Sequence, residues 1–169
     1  MKSKKIYCID TNIFVIIHRY YPKKISPDLW NELDKLFAEN RIISHITVYD
    51  EICHSKKNKD LLAKWIEEKK EYFKETTQRQ LELVPDVIKN FPKLIDPKNE
   101  REQADPWLVA LLIENRENSK DNNIEVVLVS GENRASTTKL PAACRHYDID
   151  EINLIEFFQD NNWIFRLNT

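Results

Sequence analysis

Two short apolar runs lie far apart in this chain, Ile6–Ile9 and Val126–Val129, and together they set the fold class. Neither run is broken by a charged residue. Near-continuous apolar runs suit strands covered on both faces, as in parallel sheets, whereas half-exposed antiparallel strands alternate. Strands are therefore expected at Lys5–Ile9 and Glu125–Ser130, with further ones at Arg41–Ser44, Ala143–Tyr147 and Trp163–Phe165. Amphipathic stretches fill the space between them. Helices are expected over Ile13–Tyr20, from Ser26-Pro27 onward, and over Thr47–His54, Lys59–Lys70, Thr77–Asn90, Trp107–Asn115 and Ile152–Gln159, with a loop from Phe91 to Gln103. Strands alternating with helices predict an α/β domain: a three-layer sandwich with a central, mainly parallel sheet flanked by helices. A chain of 169 residues reads as one domain, 1–169.

Composition narrows the function. Hydrophobic residues at 41% and charged residues at 32% indicate a globular chain rather than a disordered one. Gly131 is the single glycine, which excludes the glycine-rich phosphate loops of dinucleotide and nucleoside-triphosphate sites. Three cysteines without paired spacing suggest reduced thiols and a cytoplasmic location. No stretch is long and apolar enough to span a bilayer, so no membrane partner is expected. A net charge of −2 argues against a protein that binds nucleic acid through overall basicity. An acidic pocket that meets phosphate through a metal ion stays open.

Four acidic residues supply that pocket. Asp10 follows the first strand, and ligands of parallel α/β sheets bind outside the carboxyl ends of strands. It reads equally well as the cap of the helix near Ile13. Glu51 lies beside the buried side marked by Val48 and Ile52, while Asp50 points the other way. Taken singly, it is an ordinary boundary glutamate. Asp105, before Pro106, carries the signature of a helix N-cap, and the apolar helix behind it would hold a metal ligand rigidly. Glu132 follows the strongest strand through Ser130-Gly131, where glycine permits either close approach or an unusual φ. As an isolated signal it is a loop glutamate. Crowded carboxylates repel one another, so the cluster implies a hard cation, Mg²⁺ or Mn²⁺.

The segments Ile9-Asp10-Thr11-Asn12, Tyr49-Asp50-Glu51-Ile52, Ala104-Asp105-Pro106-Trp107 and Val127-Leu128-Val129-Ser130-Gly131-Glu132 resemble, in that order, the PIN-domain ribonucleases. The likeness is closest to a toxin-like bacterial and archaeal PIN subfamily, with a similar Lys139-Leu140-Pro141-Ala142-Ala143-Cys144 stretch and Phe157-Phe158 before Trp163. It covers essentially the whole chain. The resemblance implies a PIN-like fold and a metal-dependent endoribonuclease, the toxin of a toxin–antitoxin pair. Asp10, Glu51 and Asp105 would bind the metal and Glu132 would assist. Asn12 and Ser130 would orient ligands or water. In the wider PIN pattern the fourth acid is an Asp after Thr-x, whereas this chain has Ser130-Gly131-Glu132. RNA is the implied substrate; an antitoxin protein and a second copy of the chain are further candidate partners.

Two alternatives stand beside this reading. A phosphatase of the haloacid-dehalogenase type also opens with an Asp after a strand, but it needs a second acid two residues on, where this chain has Asn12. A non-catalytic binding module on the same fold has no need for four repelling carboxylates. Other signals read as structural. His18, His45, His54 and His146 with Cys8, Cys53 and Cys144 lack zinc spacing. Trp30, Trp65, Trp107 and Trp163 read as core or interface anchors. Lys56-Lys57-Asn58-Lys59 is the best basic run, either a solvated loop or a phosphate contact.

Overall fold

The computed structural model describes residues 4–54, 60–119 and 123–167. The Lys56–Lys59 run lies outside them. Five strands form one sheet: β1 (Lys4–Ile9), β2 (Ile42–His45), β3 (Phe73–Lys74), β4 (Ile124–Val129) and β5 (Glu151–Ile152). Their order is β3-β2-β1-β4-β5 and every pairing is parallel. β1 and β4, the two apolar runs, pair in register from Lys4 opposite Ile124 to Ile9 opposite Val129. The chain moves outward from β1 to β3, then crosses back to lay β4 on the other side of β1. That reversal makes the carboxyl ends of β1 and β4 a topological switch point, where ligands of such sheets bind.

Eight α-helices are described: α1 (Thr11–Tyr20), α2 (Pro27–Ala38), α3 (Ile46–Cys53), α4 (Leu61–Glu67), α5 (Gln78–Asn90), α6 (Ala104–Asn118), α7 (Leu140–His146) and α8 (Leu154–Asp160). They cover both faces of the sheet, as β1 demonstrates. Tyr7 meets Phe157 of α8 edge to face, with ring centroids 4.7 Å apart. Cys8, the next residue and so on the opposite face, has its thiol pushed up by burial, with Asp10 and then Cys144 of α7 adding to it. The fold is thus the three-layer α/β sandwich. Tyr7, Cys8 and Ile9 are all buried, which is why the run carries no polar residue. Trp30 and Trp65 are buried in the same core, 4.9 Å apart, and all three cysteines are free buried thiols. No helix among the described residues is long and apolar enough to cross a membrane.

Several expected elements differ. The segment Ala143–Tyr147 is not a strand but the end of α7, with Pro141 in its first turn and a left-handed Asp148 after it. The strand on that side is β5, and the last helix starts at Leu154 rather than Ile152. There Asn153 and Glu156 form a reciprocal capping box, which fixes the helix start. Trp163–Phe165 forms no strand. Trp163 packs instead on Phe157 and Phe158, and Phe165 on Tyr21 and Phe158. A two-residue strand at Phe73–Lys74 escapes any period-based reading.

Residues other than glycine provide the helix stops. Asn40, Asp148 and Asn162 all have φ near +55°, within the range 53° to 56°. Each follows a helix and closes it with a pair of bonds back into the last turn. After α2, Asn40 N–H donates to Phe37 O at 2.8 Å and Arg41 N–H to Leu36 O at 2.8 Å. This is the Schellman closure, with Asn or Asp tolerated where glycine is usual.

Candidate acidic site at the sheet switch point

Asp10 directly follows β1 and caps α1. One carboxylate oxygen, Oδ1, accepts the backbone N–H of Asn12 at 3.4 Å. The other, Oδ2, is buried and has no hydrogen-bond partner among the described residues. Asp10 is 1% exposed, and its own N–H donates to Val129 O at 3.2 Å, which fixes it across the mouth between β1 and β4. Burial chiefly, and then the charge of Asp105, hold its carboxyl well above the usual range. The Asn12 N–H opposes this, while Glu51 and Glu132 add to it. Cap and candidate ligand are therefore one residue, divided between its two oxygens.

Asp105 is not the N-cap of α6. The helix starts one residue earlier, at Ala104, with Gln103 in the capping position and no side-chain cap bond. Asp105 therefore sits inside the first turn, where a negative charge meets the positive end of the helix dipole. One of the free N–H groups at the helix start is met from another element. Glu51 Oε1 of α3 accepts the Ala104 N–H at 2.9 Å, and Glu51 Oε2 accepts the Thr11 hydroxyl of α1. Glu51 thus ties α1, α3 and α6 together while lying beside the aspartates. Asp50 instead meets His54 Nδ1 of the same helix end at 3.1 Å. Burial, then Glu51 and Glu132, raise the Asp105 carboxyl to about 7, with Lys139 opposing.

Glu132 is half-buried, and its N–H donates to Ser130 Oγ at 3.1 Å. Ser130 is fully buried, so here its hydroxyl shapes the turn. Gly131 has no left-handed φ. Its role is close approach: a Cβ there would stand 3.1 Å from Ile16 Cδ1 and 3.8 Å from Asn12 Cβ. The missing side chain lets the Glu132 turn lie against α1 beside Asp10. The Asn12 side chain is exposed at the same edge.

The four acids are thus close enough for Asp10 and Asp105 to feel the charges of the others. Among the described residues no three His, Cys, Asp or Glu side chains form a ready-made metal cage. Each Glu51 oxygen already accepts one hydrogen bond, so Asp10 and Asp105 are the carboxylates with the most capacity left for a cation, while Glu51 keeps a second lone pair on each oxygen and Glu132 lies nearby. Such a set fits Mg²⁺, which takes one or two carboxylates and keeps its waters. The unpartnered Asp10 Oδ2 is the atom that calls for a ligand or a proton.

A family model for a domain of unknown function (DUF4411) matches residues 7–165, a span that includes all four acids. The chain belongs to the DUF4411 family. No curated protein matches it. Three residues of this DUF4411 domain serve the site without an evident sequence signal. Thr11 orients Glu51. His45, fully buried, caps α3 through Nδ1, which accepts the Thr47 N–H at 3.2 Å, and contacts Gln80 Oε1 through Nε2 at 3.0 Å. Its ring stacks on Trp107 of α6 at 5.3 Å, which links the Glu51 helix to the Asp105 helix. Lys139 is the third, visible only once α7 packs against α6.

Proposed function

We propose that this DUF4411 domain is a metal-dependent endoribonuclease of PIN type that hydrolyses RNA phosphodiester bonds. The observation that carries the reading is the buried, unpartnered Asp10 Oδ2 beside Asp105 at the switch point of a parallel sheet. The order of acids Asp10, Glu51, Asp105, Glu132 supports it by resemblance to PIN-domain ribonucleases. A divalent cation, Mg²⁺ or Mn²⁺, held by Asp10 and Asp105 would supply a water of lowered pKa and neutralise phosphate charge. The protein's own share is positioning. Glu51 holds the first turn of α6, and so Asp105, in place. Asp10 is fixed by its cap bond and by Val129 O. Glu132 adds negative charge that favours cation binding, the exposed Asn12 would orient ligands or water, and Ser130 holds the Glu132 turn.

The toxin role, with an antitoxin protein as partner, is proposed from the same resemblance. A small antitoxin gene beside this one would support it. The deciding experiment is cleavage of single-stranded RNA with Mg²⁺, with Mn²⁺ and with chelator, beside Asp10→Asn. Cleavage that needs metal and is lost in the variant supports the reading. Cleavage that persists in Asp10→Asn, or none under any condition, overturns it.

A further inference from the structure

An acidic pocket repels the polyanion it is meant to cut, so the substrate phosphate needs an attractive group close by. Lys139 meets that need. It occupies the cap position of α7, and α7 packs against α6, which Asp105 heads. Its backbone N–H donates to Ser136 Oγ at 3.1 Å. Its ammonium donates to Lys93 O at 3.3 Å, in the turn that leads toward α6. An ammonium has three N–H donors, so this bond leaves two. Lys139 pairs with no carboxylate among the described residues.

The neighbouring cations are differently placed. Arg134 is paired with Glu151 and Glu156. Arg145 donates to Arg134 O at 2.8 Å and Ser136 O at 2.6 Å, which braces the turn between Glu132 and Lys139. The turn is therefore held from both sides, and the Lys139 ammonium is anchored on a backbone carbonyl and not neutralised. Lys139 heads α7, which packs against α6, its ammonium is fixed on a backbone carbonyl, and its charge reaches Asp105. A fixed, unneutralised cation in that place suits a phosphate contact.

We propose that Lys139 binds a non-bridging phosphate oxygen of the RNA backbone at the acidic site and so positions the strand across Asp10 and Asp105. The inference rests on the ribonuclease reading. Its test is binding, not turnover. Affinity for a fluorescent single-stranded oligoribonucleotide is measured by anisotropy over a range of salt, with Mg²⁺ present, in an Asp10→Asn background. Lys139→Met should weaken binding about tenfold, as expected for a lost charged hydrogen bond. It should also reduce the slope of log affinity against log salt by about 0.7, the share of one phosphate on a single strand. Lys139→Arg, which keeps the charge, should restore both, whereas a purely structural role would leave the salt slope of Lys139→Met unchanged. Should Lys139→Met not fold, Lys139→Gln, which can still donate to Lys93 O, is held to the same two criteria. Unchanged affinity and slope in a folded variant overturn the role of Lys139 while leaving the nuclease reading intact. If neither the Asp10→Asn parent nor the wild-type protein binds the oligoribonucleotide, the nuclease reading falls and the role of Lys139 with it; if only the wild-type protein binds, Lys139→Met is compared in that background by the same two criteria.

Discussion

Asp105 combines a raised carboxyl with a place inside the first helical turn, and each property makes its own prediction. Its pKa rises from the ordinary 3.8 to about 7 in the fold, so the native state binds the proton more tightly than the unfolded chain. The stability this adds is fully present below about 4 and is lost as pH climbs through about 7. In chelator, the urea midpoint should therefore fall across that window, and Asp105→Asn should flatten the decline. His45 acts in the opposite sense. Its pKa is lowered, mainly by burial, so its contribution is present above about 6.5 and lost as pH falls. A midpoint curve for Asp105→Asn as steep as that of wild type would contradict the role of Asp105. Because Asp105 is not the cap of α6, Asp105→Ala should remove metal-dependent RNA cleavage without the loss of a capping bond, as Asp105→Asn should.

Helix ends carry the predictions at the scale of elements. α6 begins with a bond from Ala104 N–H to a glutamate of another helix. Glu51→Ala removes that acceptor, leaves the N–H without its partner and frees the Thr11 hydroxyl. The expected loss is about 1–2 kcal/mol by denaturant titration. Glu51→Gln keeps a side-chain carbonyl for Ala104 and lowers the local negative charge, so in chelator it should lose much less. Equal losses would show that the charge, not the bond, sets the stability. The stop after α2 gives a gain instead. Asn40 sits at φ 53°, where glycine is unstrained, so Asn40→Gly should stabilise by about 0.5–1 kcal/mol. A lower melting temperature would mean that the Asn40 side chain makes a contribution of its own.

At the scale of the whole molecule, the sheet concentrates like charge at one mouth and the rest of the fold bears the repulsion. A cation that binds only the folded state should raise the melting temperature, by the equivalent of about 2.7 kcal/mol at a hundredfold excess over its Kd. Asp10→Asn should be more stable than wild type in chelator, because it removes a buried charge that three acids oppose. It should also respond less to Mg²⁺ or Mn²⁺. Calorimetric scans of both proteins with and without metal read all four quantities. Four equal melting temperatures would remove the shared cation pocket.

The sequence by itself determined the fold class and pointed to the four candidate acids. Buried parallel strands must be apolar on both faces, so Ile6–Ile9 and Val126–Val129 could be read without neighbours. The carboxylates stand at element ends, which periodicity locates. Short or locally ambiguous elements were not legible in this way. Phe73–Lys74 and Glu151–Ile152 are strands only because a neighbouring strand supplies their hydrogen bonds. The stretch Ala143–Tyr147 has too few residues for period to separate strand from helix. Tertiary structure alone decided how each acid is hydrogen-bonded. Glu51 is engaged at both oxygens because α1 and α6 each bring it a donor, whereas Asp10 Oδ2 meets no donor among the described residues. Lys139 and His45 enter the site only through the packing of α7 on α6 and of His45 on Trp107. Hydrogen bonds and charge interactions depend on distance through space, and in this chain the groups concerned come together only once the sheet has closed β4 against β1.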